Sequence, residues 1–99
     1  MPLPIRWSYF TKDYVTREGD EYGVFELGND SGILYIGEGQ VKSRLLRHFP
    51  QGPEPVVGAS KYRVEYTQGK DRCVQRQNAE LDAYYKQNGR YPKFNTRKG

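Results

Sequence analysis

The sequence predicts a single α+β domain in which a small central antiparallel sheet of three strands is flanked by helices. Three observations support this prediction. The chain has 99 residues, of which 35% are hydrophobic, enough for one core but not for two. Two short runs rich in β-branched and aromatic residues are separated by a turn signal, which is typical of a hairpin. Two later segments carry apolar residues at helical spacing.

The whole chain, 1–99, is assigned to this one domain, with residues 22–95 as the core and residues 1–21 as an N-terminal strand or arm. Ile5 to Phe10 is consistent with a strand or an extended arm. Thr11 can cap a short helical turn that ends before the breaker residues that begin at Glu18.

The predicted hairpin consists of strands from Tyr22 to Leu27 and from Gly32 to Gly37, joined by a tight turn from Gly28 to Ser31. Side chains alternate along a regular strand. In the second strand, alternation therefore assigns Leu34 and Ile36 to one face, and Ile33 and Tyr35 to the other.

A first helix is predicted directly after the hairpin. Apolar residues recur at every fourth position, at Val41, Leu45 and Phe49. Pro50 ends this helix. Arg44 and His48 lie one turn apart on a neighbouring face, so both can contact the same ligand.

The C-terminal half is predicted to hold a third strand and a long helix. The strand runs from Tyr62 to Thr67, and the helix from about Asp71 to Asn88, where Gly89 stops it. Its core stripe is assigned to three residues, Val74, Leu81 and Tyr85, with Glu80 at the border of that stripe. Aromatic residues in the tail are expected to pack it back on the body and to bring Asn95 inward.

The composition indicates what the protein contacts. Sixteen Lys and Arg against twelve Asp and Glu give a net charge of +4 and modestly favour a polyanionic partner, although simple solubility explains a mild excess equally well. Cys73 is the only cysteine, which excludes a disulfide within the chain and a thiolate zinc site. No segment is apolar enough to span a membrane, so we expect a soluble, cytoplasmic protein.

Five short segments in order give this chain a family resemblance. They are Gly23-Val24-Phe25, Tyr35-Ile36-Gly37, Arg44 to Phe49, the helix around Glu80, and Pro92 to Asn95. In this order and spacing they resemble the motifs of the GIY-YIG endonuclease family. The resemblance covers Gly23 to Asn95 and implies the GIY-YIG fold.

The resemblance implies a divalent-metal-dependent endonuclease that hydrolyses phosphodiester bonds in DNA with one Mg²⁺ or Mn²⁺ ion. It implies a catalytic set of Tyr35, Arg44, His48, Glu80 and Asn95, in which Glu80 is the metal ligand. The basic residues Lys42, Arg47 and Arg76 are candidates for nucleic-acid contacts. Carboxylate oxygen suits a hard cation, and a guanidinium keeps its charge while it binds phosphate.

One departure from the family leaves the chemistry open. Phe25 stands where the first motif has a tyrosine, and it cannot accept a proton. His48 is then favoured as general base because its ordinary pKa is near 6.5, whereas that of Tyr35 is near 10. The alternative is a catalytically impaired nucleic-acid-binding module of the same fold; a protein-interaction domain is a third hypothesis. DNA against RNA, a homodimer and a targeting partner protein are left open.

Overall fold

The computed structural model describes residues 6–95, whose radius of gyration is 12.2 Å. Ile5, the start of the predicted first strand, lies outside this range. The elements in chain order are β1 (Ser8–Tyr9), α1 (Lys12–Thr16), β2 (Tyr22–Asn29), β3 (Gly32–Gln40), α2 (Val41–Arg47), β4 (Lys61–Tyr66) and α3 (Lys70–Asn88).

The strands form one antiparallel sheet in the order β1-β4-β2-β3. The α+β class with helices flanking an antiparallel sheet is confirmed, but the prediction of three strands is wrong, since the sheet has four. The added strand is β1, in which Ser8 pairs with Tyr62 and Tyr9 with Lys61. Two residues are too short to show alternation, so this strand is defined by its partner and not by its own pattern.

A bulge in β3 changes which side chains share a face. Leu27 pairs with Tyr35, whereas the next residue, Gly28, pairs with Ile33, so that Leu34 is the extra residue. Leu34 and Tyr35 both pack against the core cluster that contains Phe25, and Ile33 and Ile36 belong to the opposite cluster. The predicted strict alternation is therefore wrong at this point.

The sheet separates two apolar clusters. One lies beneath α1 and α2 and contains Phe25, Val41 and Leu45; the other lies beneath α3 and contains Cys73 and Leu81. These two layers fix α1 and α2 on one face of the sheet and α3 on the other.

The start of α2 is held by a residue from a distant loop. The side chain of Gln40, the N-cap, does not accept a capping hydrogen bond from the first turn. The backbone N–H of Ser43 instead donates to Asp20 Oδ1 at 2.8 Å, and the Ser43 hydroxyl donates to Asp20 Oδ2 at 2.7 Å. These bonds lower the pKa of Asp20, which stays ionised at the positive end of the helix.

The stripe of α3 that faces the sheet differs from the predicted one. Its buried residues are Cys73, Gln77, Glu80 and Leu81. Leu81 was predicted, but Tyr85 is 49% exposed. Gly89 ends the helix with a φ of 75°, as expected for a left-handed cap.

The tail lies along the outer edge of β3. The N–H of Phe94 donates to the carbonyl of Leu34 at 2.9 Å. The Asn95 side chain accepts from the N–H of Ile36 at 2.8 Å and donates to its carbonyl at 3.0 Å. The structure thus brings Asn95 inward as predicted. Within residues 6–95 no helix combines the length and hydrophobicity needed to cross a bilayer.

Candidate functional site

A cavity of about 160 Å³ lies where β3, α2 and α3 meet. Its walls are formed by Phe25, Tyr35, Glu38, Arg44, His48, Glu54 and Gln77. Three of the five predicted catalytic residues, Tyr35, Arg44 and His48, therefore line one cavity. Glu80 and Asn95 are not among the lining residues.

Three rings form the apolar wall of this cavity. The Tyr35 and His48 ring centroids are 4.9 Å apart, and the Phe25 centroid is 5.7 Å from that of His48 and 6.1 Å from that of Tyr35. Gly37 lies opposite Phe25 in the sheet, and any side chain there would collide with the Phe25 ring. The glycine of the Tyr35-Ile36-Gly37 segment thus makes room for the ring.

His48 is held in one orientation by the loop that follows α2. Its Nδ1 is 2.8 Å from the carbonyl oxygen of Glu54, and its own carbonyl accepts from the N–H of Val56 at 3.1 Å. A carbonyl can only accept, so Nδ1 carries the hydrogen and the neutral ring keeps a lone pair on Nε2. Burial lowers the pKa of His48, which favours this neutral form.

Tyr35 has the opposite electrostatic character. Burial is the main cause that raises its pKa, and the carboxylates of Glu54 and Glu38 raise it further, whereas Arg44 opposes the shift. The hydroxyl therefore stays protonated near neutral pH and acts as a hydrogen-bond donor.

Arg44 is exposed on α2 and packs across the end of β3. A Cβ at Gly39 would lie 3.0 Å from Arg44 Nε, and Gly39 has a φ of +127° that favours glycine. Among residues 6–95 the Arg44 side chain makes no hydrogen bond or salt bridge. Its guanidinium is thus available to an anion.

Two residues that lacked any predicted role complete the polar wall. Glu38, on β3, accepts a hydrogen bond from the thiol of Cys73 at 3.1 Å. Burial and the neighbouring carboxylate raise the pKa of that thiol to about 11, so Cys73 stays a donor. Gln77, on α3, donates from Nε2 to the carbonyl of Ile36 at 3.2 Å.

Glu80 lies elsewhere on α3. It is 3% exposed, and its Oε1 is 2.6 Å from Arg76 Nη2. Arg76 also binds Glu65 on β4, at 3.1 Å. Three residues along a helix correspond to about 300° of rotation, so Glu80 lies one turn beyond Gln77 on the same side of α3. Of these two residues, Gln77 lines the cavity and Glu80 does not.

The predicted nucleic-acid contacts divide between two regions. Lys42 and Arg47 belong to α2 with Arg44, and Arg47 forms a 3.1 Å salt bridge with Glu54. Arg76 lies in a groove of about 480 Å³ between the end of β4 and α3. This groove is larger than the cavity, but Arg76 and Glu65 in its wall are paired with each other, so we take the smaller cavity as the site.

Comparison with known proteins agrees with this architecture. Residues 1–85 match a family described as Domain of unknown function (DUF7508). The chain belongs to this family. No curated protein matched the DUF7508 chain.

Solved structures show the same fold. The GIY-YIG N-terminal endonuclease domain of UvrC from Thermotoga maritima, bound to its catalytic magnesium, is similar with a TM-score of 0.69 and 18% identity, over 86% of the DUF7508 chain and 94% of that domain. A point mutant of the same domain, bound to the catalytic divalent cation, gives a TM-score of 0.68 and 21% identity over 87% and 94%. The prediction of a GIY-YIG-type fold is confirmed.

Sequence reasoning missed Glu38, Gln77 and Glu54 as wall residues of the DUF7508 cavity. Glu38 carried a usable signal, since it lies between Gly37 and Gly39 at the end of a strand and just before a basic helix. The roles of Gln77 and Glu54 depend on how α3 and the loop after α2 pack, which no local pattern encodes.

Proposed function

We propose that this chain is a divalent-metal-dependent endonuclease that hydrolyses phosphodiester bonds in DNA at the cavity between β3, α2 and α3. The observation that carries the proposal is the convergence of Arg44, Tyr35 and His48 on one cavity. Their chemistry matches three needs of the reaction, which are stabilisation of developing charge, positioning of water and removal of its proton.

Arg44 is the phosphate-binding residue of the proposed mechanism. Its guanidinium keeps its charge at any physiological pH and can donate two parallel hydrogen bonds to phosphate oxygens. Because no carboxylate of residues 6–95 forms a salt bridge with it, its charge is available to a phosphate that gains negative charge during cleavage.

His48 is the general base. Burial keeps the imidazole neutral, and the Glu54 carbonyl occupies Nδ1, so that Nε2 is the nitrogen that accepts a proton from water. Tyr35, whose raised pKa keeps it protonated, orients that water through its hydroxyl. The two rings are 4.9 Å apart, which lets both contact the same small ligand.

The residues present fit a loosely held Mg²⁺ or Mn²⁺. Among residues 6–95, no three His, Cys, Asp or Glu side chains gather as a metal cluster. The cavity wall nevertheless offers the carboxylate of Glu38 and the amide oxygen of Gln77, both hard donors. Mg²⁺ is commonly bound through one or two carboxylates and retains several waters. When bound, such an ion supplies Lewis-acid stabilisation of the leaving oxygen.

Phe25 favours a second candidate function, a nucleic-acid-binding module of the same fold with impaired chemistry. The Phe25 ring is 1% exposed and carries no polar atom, yet it forms part of the cavity wall. A hydroxyl is thus missing where the family motif has one, while Arg44 still offers a guanidinium that has no salt bridge within residues 6–95.

Incubation of the purified chain with supercoiled plasmid and Mg²⁺ or Mn²⁺ separates the two candidates. We expect metal-dependent nicking that Arg44→Ala removes. Salt-sensitive DNA binding without nicking, lost in Arg44→Ala, would establish the binding module instead. Absence of both, over DNA and RNA probes, would contradict both candidates.

Phe25→Tyr adds a direct comparison within the same assay. If His48 alone takes the proton, the added hydroxyl changes the nicking rate little. A large gain in rate would show that Phe25 is what impairs the site.

A further inference from the structure

We propose that Glu38 on β3, assisted by the amide oxygen of Gln77 on α3, is the carboxylate that holds the divalent ion, and that Glu80 has a structural role. This assignment rests on the proposed metal-dependent function of the cavity. It places the ligand on the strand that also carries Tyr35, whereas the sequence pattern pointed to the helix.

Glu38 combines access with a fixed position. Its side chain is half-buried and lines the cavity with Tyr35 and Arg44. Its Oε2 lies 3.1 Å from the buried Cys73 Sγ, whose single hydrogen it shares with the Lys70 carbonyl at 3.1 Å, so the carboxylate rests against α3. Within residues 6–95, Oε1 accepts no hydrogen bond from protein. One oxygen is thus anchored and the other is available to a cation.

Gln77 supplies the second donor and is the residue of α3 that reaches this cavity. It is 5% exposed, and its Nε2 is used by the carbonyl of Ile36 at 3.2 Å. The fixed amide nitrogen limits how the group can turn, and the oxygen of the same amide is a neutral, hard donor of the kind that Mg²⁺ and Mn²⁺ accept.

Glu80 is unsuited to the same task because its charge is already matched inside the protein. Its carboxylate is 3% exposed and lies 2.6 Å from the Arg76 guanidinium. A cation that replaced Arg76 would have to break an ion pair with a carboxylate that is almost fully buried. Removing one member of such a pair costs several kcal/mol, which a weakly held hydrated ion does not return.

The charge balance around the cavity also favours Glu38. Tyr35, Arg44 and Glu38 line the same cavity, so a positive and a negative side chain face the space beside the Tyr35 ring. A phosphate that bridges Arg44 and an ion on Glu38 would have cations on two sides. Two-sided neutralisation is the arrangement that stabilises charge in phosphoryl chemistry.

The test is Mn²⁺ binding to the whole chain, followed by electron paramagnetic resonance of the free ion, with no substrate present. Glu38→Gln should weaken binding by at least about 10-fold, because ligand charge sets the affinity of such sites. Glu80→Gln removes the same charge from the buried pair and serves as the matched control, so it should bind Mn²⁺ as the wild type does. Gln77→Glu should tighten binding by about 10-fold for the same reason.

Far-ultraviolet circular dichroism and thermal melts establish that each variant is folded. Wild-type affinity in folded Glu38→Gln overturns the assignment, as does lost affinity in folded Glu80→Gln. Unchanged affinity in Gln77→Glu contradicts the place given to Gln77.

The same experiment separates failure of this assignment from failure of the proposed function. If the wild type nicks plasmid but its Mn²⁺ affinity does not change in Glu38→Gln, Glu38 is not the metal ligand and the endonuclease proposal still stands. If Mn²⁺ binding depends on Glu38 but no nucleic acid is cleaved, Glu38 is the metal ligand and the endonuclease proposal is wrong. If the wild type binds no Mn²⁺, both the assignment of Glu38 and the proposed metal-dependent function are wrong.

Discussion

Two regions of this small domain gather charged residues and use them in different ways. In the cavity, Arg44 makes no salt bridge within residues 6–95, and Glu38 accepts only a neutral thiol. Beneath α3, arginines are matched with carboxylates. We call this second set the buried ion-pair group after its two buried carboxylates, Glu26 and Glu80; its other members, Arg63, Glu65 and Arg76, are half-buried.

The distances make the difference explicit. In the buried ion-pair group, Arg63 Nε lies 2.6 Å from Glu26 Oε1, and Arg76 lies 2.6 Å from Glu80 and 3.1 Å from Glu65. Burial raises the pKa of Glu26 and the bond to Arg63 lowers it, so the arginine is what keeps that carboxylate ionised. A charge that is matched internally serves stability, and a charge without a partner is available to a ligand.

The largest expected effect comes from the unmatched arginine. Arg44→Ala should lower the rate of plasmid nicking by about 10³-fold, since loss of one group that stabilises developing charge costs 10²–10³ in rate. The control is Arg47→Ala on the same helix, which removes a charge that already has a partner in Glu54. It should change the rate by no more than about 3-fold. Equal losses in both variants would show that α2 acts only through its net charge.

The next effect concerns the base. His48→Gln should lower the rate by about 10²-fold, the usual worth of a positioned base. In the wild type the base form is the neutral imidazole, and burial lowers its pKa, so the rate should rise with pH through a midpoint below 6.5 and then level off. Glu54 opposes this shift, and Arg44 and Arg47 add to it. A pH profile that stays unchanged in His48→Gln would assign the proton to another group.

A smaller effect is expected from a substitution in the buried ion-pair group. Glu80→Gln should lower the free energy of unfolding by about 2 kcal/mol, because it removes the negative partner of the half-buried Arg76 guanidinium. Nicking at a temperature where the variant is folded should be unchanged. Urea unfolding measures the stability, and the plasmid assay measures the nicking rate. Lost activity in a fully folded variant would show that Glu80 takes part in the reaction.

The smallest effect belongs to the exposed pair on α2. Arg47 and Glu54 side chains are 46% and 53% exposed, so solvent screens their 3.1 Å contact. A double-mutant cycle with Arg47→Ala and Glu54→Ala should give a coupling energy below about 1 kcal/mol. A coupling energy as large as that expected for a buried ion pair would contradict the view that solvent exposure weakens the Arg47–Glu54 pair.

The sequence was sufficient to predict those elements whose structure depends on local patterns alone. The hairpin, the fourfold spacing from Val41 to Leu45 and the stop at Gly89 are local patterns, and the structure contains each of them. Helical spacing also predicted that Arg44 and His48 lie on one side of the helix after the hairpin. That Tyr35 joins them was implied by the family resemblance.

What sequence could not supply depends on packing between elements. Periodicity placed Glu80 near the border of the core stripe, but the packing of α3 on the sheet decides which of two residues one turn apart, Gln77 or Glu80, meets the cavity. That packing is set by contacts of Cys73 and Leu81 with the sheet. The bulge at Leu34 likewise results from pairing with β2, and it exchanges the faces of two side chains.

The tail along β3 has a consequence for how copies of this chain meet. β3 is a terminal strand of nine residues, and a long unpaired edge offers a template on which another chain can add a strand. Phe94 and Asn95 occupy its outward backbone groups at Leu34 and Ile36. At these positions the tail therefore blocks the addition of a strand from another chain, in the same stretch of β3 that lines the cavity.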